Sequence, residues 1–511
     1  MLRARSRWPW FAAGTVLLAA GYVPIARVPL MGDDFHAFLF TYGEVRGSVA
    51  GALAYGWNAG QQAGHFNPVG QALGALFHYV SYALPAATGL PARTVAVLAG
   101  ATLIWGTALA VAWCAAWGLR HAGAVDEDLL ARCFGVTAAV LGASLQLHPW
   151  SNDPVSSFLM AGWASALLGF VVLGAALRAV APGRSGWSDV VWLGLLGVLA
   201  VLWYEMLAGV VAGVAAVLVV AGIAVWRSRG VRAVGRVLAL LGSGVVLPAV
   251  VFVAGRFLSA GQQRGYTGTD VALGRAALRS TWAAFVGVLP GGGWPYLITS
   301  AGAPHLAAVP AALTLLYVLA LAAVVRLSRS HVVVVADARG LVAPALGAAV
   351  AWGATTATQT LTLKYASEIR VAGQVYMYHV VALGSLAVLV TLAVVATSAR
   401  WHGALADGTR AAVGVLIGAF VLVQLTLAWH LGDFLRGAFD GNRELTAAAV
   451  DASRTPDARC GVLVRWADRP WPDYYRSAVV IDVQRTYQAR FGEPFCVASS
   501  ELDRVLAAPG G

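Results

Sequence analysis

The stretch Val23-Pro24-Ile25-Ala26-Arg27-Val28-Pro29-Leu30-Met31-Gly32-Asp33-Asp34-Phe35-His36 closes one kind of sequence and opens another. Before it, from about Trp8 to Leu30, the chain is apolar for long enough to cross a bilayer as a helix. Directly after it two carboxylates stand side by side. Acids beside hydrocarbon are costly to hold unless partners or a chemical role retain them. The apolar run decides the fold class, and the acid pair decides where to look for function.

Moving outward, the whole chain repeats the first pattern. It has 511 residues, of which 59% are hydrophobic and only 12% charged. A soluble protein would carry about twice that charged share. In lipid each span must satisfy its own backbone hydrogen bonds, so an all-α polytopic membrane protein is expected. Arg3, Arg5 and Arg7 resemble the charged start of a signal peptide. The run that follows is too long, and Pro24 to Leu30 shows no small-residue cleavage pattern, so it reads as a retained first span. Further spans run about Arg93 to Leu119, Cys133 to Leu147, a fourth ending near Val180, Val190 to Trp203, Met206 to Trp226 and Val237 to Phe257. Others end near Arg326 or run about Leu341 to Thr358, Gln374 to Ala396 and Ala411 to Trp429. That makes about 11 transmembrane helices within residues 1–430. Residues 31–92 form a large first outer loop carrying one or two interfacial amphipathic helices.

An odd number of spans puts the termini on opposite sides. The basic turn at Arg227, Arg229, Arg232 and Arg236 and the short arginine-bearing loops that share its side place the N-terminus in the cytoplasm and the polar tail outside, in the cytoplasmic membrane. The net charge of +11 comes almost wholly from arginine, with Lys364 the only lysine. With no aromatic-and-basic nucleic-acid motif, this charge speaks for anionic lipid and orientation, not nucleic acid. Residues 431–511 read as a small α+β extracytoplasmic domain, because Cys460 to Trp466 alternates like a strand and Ser477 to Arg490 suits strand then helix. So small a unit is marginal alone, and an oxidising outer compartment would let Cys460 and Cys496 close a disulfide. Neither a zinc-ligand spacing nor an internal repeat is present.

With this topology the outer side collects Asp33, Asp34, His36, His65, His148, Asp153, Glu205, Arg256, Arg264, Lys364, Glu368 and Arg370. Carboxylates there could deprotonate a hydroxyl or hold a divalent cation such as Mg or Mn, while Arg, Lys and His would bind phosphate. Each group also has a plainer reading. One Asp of the pair suffices to cap the next helix, so the second argues for a role beyond capping. Asp153 before Pro154 is a ready helix start, and His148-Pro149-Trp150 suits an interfacial turn. Lys364 with Glu368 makes an i,i+4 pair on a helix. Glu205 sits between two apolar runs with no turn glycine, which favours function.

These motifs together resemble the GT-C class of integral membrane glycosyltransferases, which use polyprenyl-phosphate-linked sugars. The resemblance rests on Asp33-Asp34 in the first outer loop, His148 to Pro154, Tyr204-Glu205, Arg264 with Tyr266-Thr267-Gly268-Thr269, Lys364-Tyr365 with Glu368, and a terminal outer domain. It implies an inverting transfer to a glycan, lipid or protein acceptor of the cell envelope. Asp33, then Asp34, would be the general base or metal ligand. Lys364, Arg264 and Arg370 would hold the lipid phosphate, with His148 and Glu205 as further acceptor or metal contacts. A lipid-linked sugar flippase or transporter would instead place charges near the bilayer midplane. A non-catalytic scaffold of envelope assembly would make the acid pair dispensable, and a polysaccharide polymerase or ligase would rely on a large outer loop rich in Arg and His.

Overall fold

The computed structural model describes residues 7–62, 66–183, 186–230, 234–259, 270–329, 333–404, 407–470 and 473–497, together with Ala507. Within them all regular structure is helical, apart from one isolated β-bridge between Val271 and Thr362. The membrane part contains α1 (Trp8–Ala26), α2 (Gly32–Glu44), α3 (Val49–Gln62), α4 (Pro68–Thr88), α5 (Thr94–His121), α6 (Leu129–Ser144) and α7 (Trp163–Val180). It continues with α8 (Ser188–Trp203), α9 (Ala208–Arg229), α10 (Gly235–Leu241), α11 (Leu247–Ser259), α12 (Arg275–Val288), α13 (Trp294–Ala301) and α14 (Ala308–Arg329). After these come α15 (Val342–Thr360), α16 (Leu363–Glu368), α17 (Tyr378–Ala404) and α18 (Asp407–Ala438).

Among the described residues nine helical stretches are long and apolar enough to cross a membrane: α1, α5, α7, α9, α10 continued by α11, α14, α15, α17 and α18. The two shorter apolar helices, α6 and α8, lie where the third and fifth spans are expected. A π-helical turn at Gly242–Val246 joins α10 to α11. The chain is a multi-pass, all-helical membrane protein. Helices in lipid gain little from the hydrophobic effect between themselves and pack where small residues let backbones approach. Gly21 of α1 and Gly142 of α6 show this: a Cβ on Gly21 would strike the Gly142 carbonyl. The segment between the first two spans, residues 31–92, carries three helices, α2 to α4, where one or two are expected.

The tail differs from its expected α+β form. Its described residues form α19 (Asp440–Ala449), α20 (Pro456–Ala467) and α21 (Asp473–Phe491). The segment Cys460 to Trp466 lies inside α20, not in a strand. Thr455 caps that helix, its hydroxyl accepting the Ala458 N–H at 3.3 Å, with Pro456 and Asp457 in the first turn. These are strong helix-start signals. Of the buried positions, Arg459, Val462, Leu463, Trp466 and Ala467 follow helical spacing, and Val464 alone departs from it, so the apparent alternation covers too few residues to compete. Ser477 to Arg490 likewise lies wholly within α21. Cys460 and Cys496 are disulfide-bonded with a Cα–Cα distance of 4.6 Å, while Cys114 and Cys133 are free and buried.

This tail is seated on α2 and α4. Asp482 of α21 meets His36 of α2 at 2.7 Å, Arg485 meets Glu44 at 2.6 Å, and Thr486 accepts the Gly43 N–H at 3.0 Å while donating to the Leu39 carbonyl. Phe35 and Phe38 of α2 are fully buried, Phe35 packing near Trp466. Burial of this kind stabilises by about 1.5–3 kcal/mol per side chain. Tyr82 of α4 donates to the Ala449 carbonyl at 2.8 Å, and Asn442 donates to the Leu30 carbonyl at 3.1 Å. The tail therefore fixes α2, the helix that begins with the acid pair.

Candidate active site

The acid pair is positioned from both sides. Arg93 donates to the Ala26 and Ile25 carbonyls at 2.5 and 2.8 Å, satisfying the last turn of α1. Gly32 has a φ of +51°, and a Cβ there would collide with Asn152 and with the Ser151 carbonyl. Glycine is needed for so close an approach in that conformation. The Asp33 N–H then donates to Asn152 Oδ1 at 3.3 Å. Both acids occupy the first turn of α2, where the helix dipole favours negative charge. Neighbouring helical residues point about 100° apart, so the two carboxylates diverge. Asp33 faces outward and is exposed, whereas Asp34 is buried.

Asp34 is committed to the protein. Its Oδ2 accepts the Phe158 N–H at 3.0 Å, and its Oδ1 lies 3.7 Å from His78 Nε2 of α4. Phe158 has a left-handed φ of +58°, strained for a residue with a ring, and the bond to Asp34 helps to hold it. Burial, reinforced by the neighbouring Asp33 charge, pushes Asp34 up to about 7. Burial pushes His78 down to about 4. The buried pair therefore favours a neutral imidazole beside a carboxyl group that holds its proton more tightly than usual.

Asp33 has a different setting. Surrounding protein raises its carboxyl, while the charges of Lys364 and His36 pull it back down. Asp33 and Lys364, remote in sequence, thus share one electrostatic neighbourhood. Lys364 of α16 also acts on Glu368, whose carboxyl is raised by partial burial and lowered again by the lysine. Lys364 Nζ sits 5.1 Å from the centre of the Tyr365 ring and 5.9 Å from that of Tyr376. Tyr376 in turn packs against Trp150 and Phe158, both at 5.7 Å. The loop that Asp34 anchors is therefore the loop that backs the rings beneath Lys364.

His148 lies on the same loop, buried, with its Nδ1 at 2.8 Å from Asp153 Oδ1. Asp153 also accepts the His148 and Ser156 N–H groups and the Ser156 hydroxyl, so it combines the expected cap-like contact with orientation of the imidazole. Glu205 pairs with Arg256 at 3.3 Å at the start of α9. Arg370 is exposed, its Nε turned back onto the Ser367 carbonyl at 2.7 Å. Arg264, with Tyr266 to Thr269, and His65 lie outside the described residues. The structure thus gathers Asp33, Asp34, His148 and Lys364 around one loop, and it gives Glu205 an ion-pair partner in Arg256.

The expected Mg or Mn ion on Asp33 and Asp34 does not fit this geometry. One Asp34 oxygen takes an amide N–H and the other faces His78, which leaves a single outward carboxylate. Two residues that position the acid pair, His78 and Asn152, and a third that packs on His148, His379 with its ring centre 5.2 Å away, are not among the candidates that the sequence singles out. His78 and His379 carry a usable signal, an imidazole within an otherwise apolar helix. Asn152 carries none, because its role exists only once the loop meets α2.

No protein family, curated protein or solved structure matches the chain.

Proposed function

We propose that the protein is an inverting glycosyltransferase that moves a sugar from a polyprenyl-phosphate donor to a cell-envelope acceptor, at the outer face of the cytoplasmic membrane. The observation that carries this reading is that the Lys364 charge, on a side chain near two tyrosine rings, acts on the outward Asp33 carboxylate and offsets part of the rise that burial gives it. In the transfer, Asp33 takes the proton of the acceptor hydroxyl as that oxygen bonds to the anomeric carbon. The bond from that carbon to the phosphate oxygen breaks, and the electron pair leaves with the lipid phosphate. Lys364 stabilises the charge that develops there. Raised basicity suits the first role and a fixed cation suits the second. Asp34 acts through the loop it anchors and takes no proton from substrate.

The sidedness belongs to the same reading. The disulfide in the tail is at home in an oxidising outer compartment, and the tail packs on the helix that bears Asp33. No step is routed through a metal ion. The test is transfer by the full chain in lipid nanodiscs, over a panel of polyprenyl-phosphate sugars, for wild type and Asp33→Asn. Turnover by wild type that is abolished in Asp33→Asn is expected; equal turnover in both removes the assigned base, and no transfer from any donor removes the reading.

A further inference from the structure

A second group of polar side chains surrounds His148, and Asp33 is not among the residues that line it. Between the end of α6, the head of α17 and α13 is a chamber of about 20 Å³, lined by Ser144, Gln146, His148, Trp294, His379 and Gln424 among others. That volume holds one small guest, such as a water molecule or a single ion with part of its shell. Its chemistry is unusual for so enclosed a place. His379 is only 2% exposed, and neither of its ring nitrogens has a hydrogen-bond partner. Gln146 Oε1 is buried without one as well. Buried polar groups left this way cost about 1–3 kcal/mol each, so a retained cluster of them calls for a guest.

The donors point to the kind of guest. A carboxylate can only accept, so His148 Nδ1 carries the hydrogen shared with Asp153, and Nε2 is the nitrogen that this bond leaves unused. A carboxylate holding one imidazole nitrogen while the other bonds a metal is the usual outer-shell arrangement at metal sites. The two rings stand 5.2 Å apart, centre to centre, and are nearly perpendicular at 83°. Gln424 is already used, accepting from Trp294 Nε1 at 2.7 Å and donating to the Leu145 carbonyl, so it braces the wall without ligating.

We infer that this chamber is a binding site for one first-row divalent transition ion, with zinc as the reference, held by His148 Nε2, an imidazole nitrogen of His379 and Gln146 Oε1. Among the described residues no three His, Cys, Asp or Glu side chains form a ready cage, so water completes the fourth position. Imidazole donors select zinc, cobalt or copper over Mg and Ca, which demand oxygen. Asp153 supplies a compensating negative charge. The ion would pin the Leu145–Trp150 loop to the head of α17, and so fix Trp150 against Tyr376 under Lys364.

The experiment uses the full chain, stripped of metal with EDTA and held in nanodiscs. It is titrated with Zn²⁺ by calorimetry and with Co²⁺ by visible absorption. One ion per chain is expected, with the intense cobalt bands of a four-coordinate site and a rise in unfolding temperature. Asp153→Asn is expected to weaken binding about 10- to 100-fold, and His379→Gln to abolish the bands. Absence of a one-to-one ion on wild type overturns the proposal, and so does binding that survives both His379→Gln and His148→Gln, which would mark adventitious histidines elsewhere. Should His379→Gln fail to fold, the wild-type stoichiometry and the Asp153→Asn shift still decide the matter.

Discussion

The Asp33 mouth and the His148–His379 chamber lie on opposite sides of one loop and are built on opposite terms. The mouth is charged and open: an exposed carboxylate, a lysine, and aromatic faces that hold the lysine without neutralising it. The chamber is lined by buried side chains, among which the His379 ring and Gln146 Oε1 lack hydrogen-bond partners. Exposed charge can meet a changing population of substrate and release it. Enclosed, unpartnered donors suit one guest that stays. The contrast teaches that sharing a loop with the Asp33 neighbourhood does not give His148 the same setting: its ring is buried and bonded to Asp153.

Four measurements would break or sharpen that contrast. The largest effect is expected from Asp33→Asn, which should lower transfer by about 10²- to 10⁴-fold and leave the unfolding temperature within a few degrees of wild type. Loss of folding instead would make Asp33 structural. Next, Lys364→Met should lower kcat by about 10²- to 10³-fold, with Lys364→Arg partly restoring it; an effect confined to KM would deny it a role at the transition state.

The third concerns stability and pH at the buried pair. Asp34 holds its proton up to about 7 in the folded chain against 3.8 ordinarily, so its contribution is complete at low pH and is lost as pH rises through about 7. His78 is depressed to about 4 from 6.5, so its contribution is complete above 6.5 and is lost as pH falls through about 4. Between about 4 and 6.5 the two slopes oppose each other. Wild-type unfolding temperature should be nearly flat across that window, whereas His78→Gln should lose stability steadily as pH rises from about 4 to about 7. Parallel curves for the two proteins would separate Asp34 from His78.

The smallest effect is a shift in the pH profile. Lys364 lowers the proton affinity of Asp33. Removing the cation in Lys364→Met should therefore move the acid limb of kcat/KM to higher pH, measurable on the residual activity. An unmoved limb would place the lysine outside the reach of the base.

How much of this was legible in the sequence follows from the range of the forces involved. The spans were, because about 18 or more apolar residues need no partner to be recognised. Adjacency of Asp33 and Asp34 was legible too, but not their division of labour. That depends on the phase of α2 and on a loop more than a hundred residues away donating its Phe158 N–H. The tail was misread because Val462, Val464 and Trp466 mimic a strand, although Thr455-Pro456-Asp457 announces a helix just upstream. His379 went unremarked because one imidazole at the head of an apolar span looks like a span boundary until His148 is brought to face it.

The docking of α21 on α2 also has a consequence for biogenesis. The helix that carries Asp33 emerges from the ribosome early, and its covering partner emerges more than four hundred residues later. Throughout that interval Phe35, Phe38 and Leu39 lack their full cover, which leaves the segment after the first span in need of protection in the nascent chain. The helix that bears the acid pair is thus synthesised early and is among the last elements to be completed.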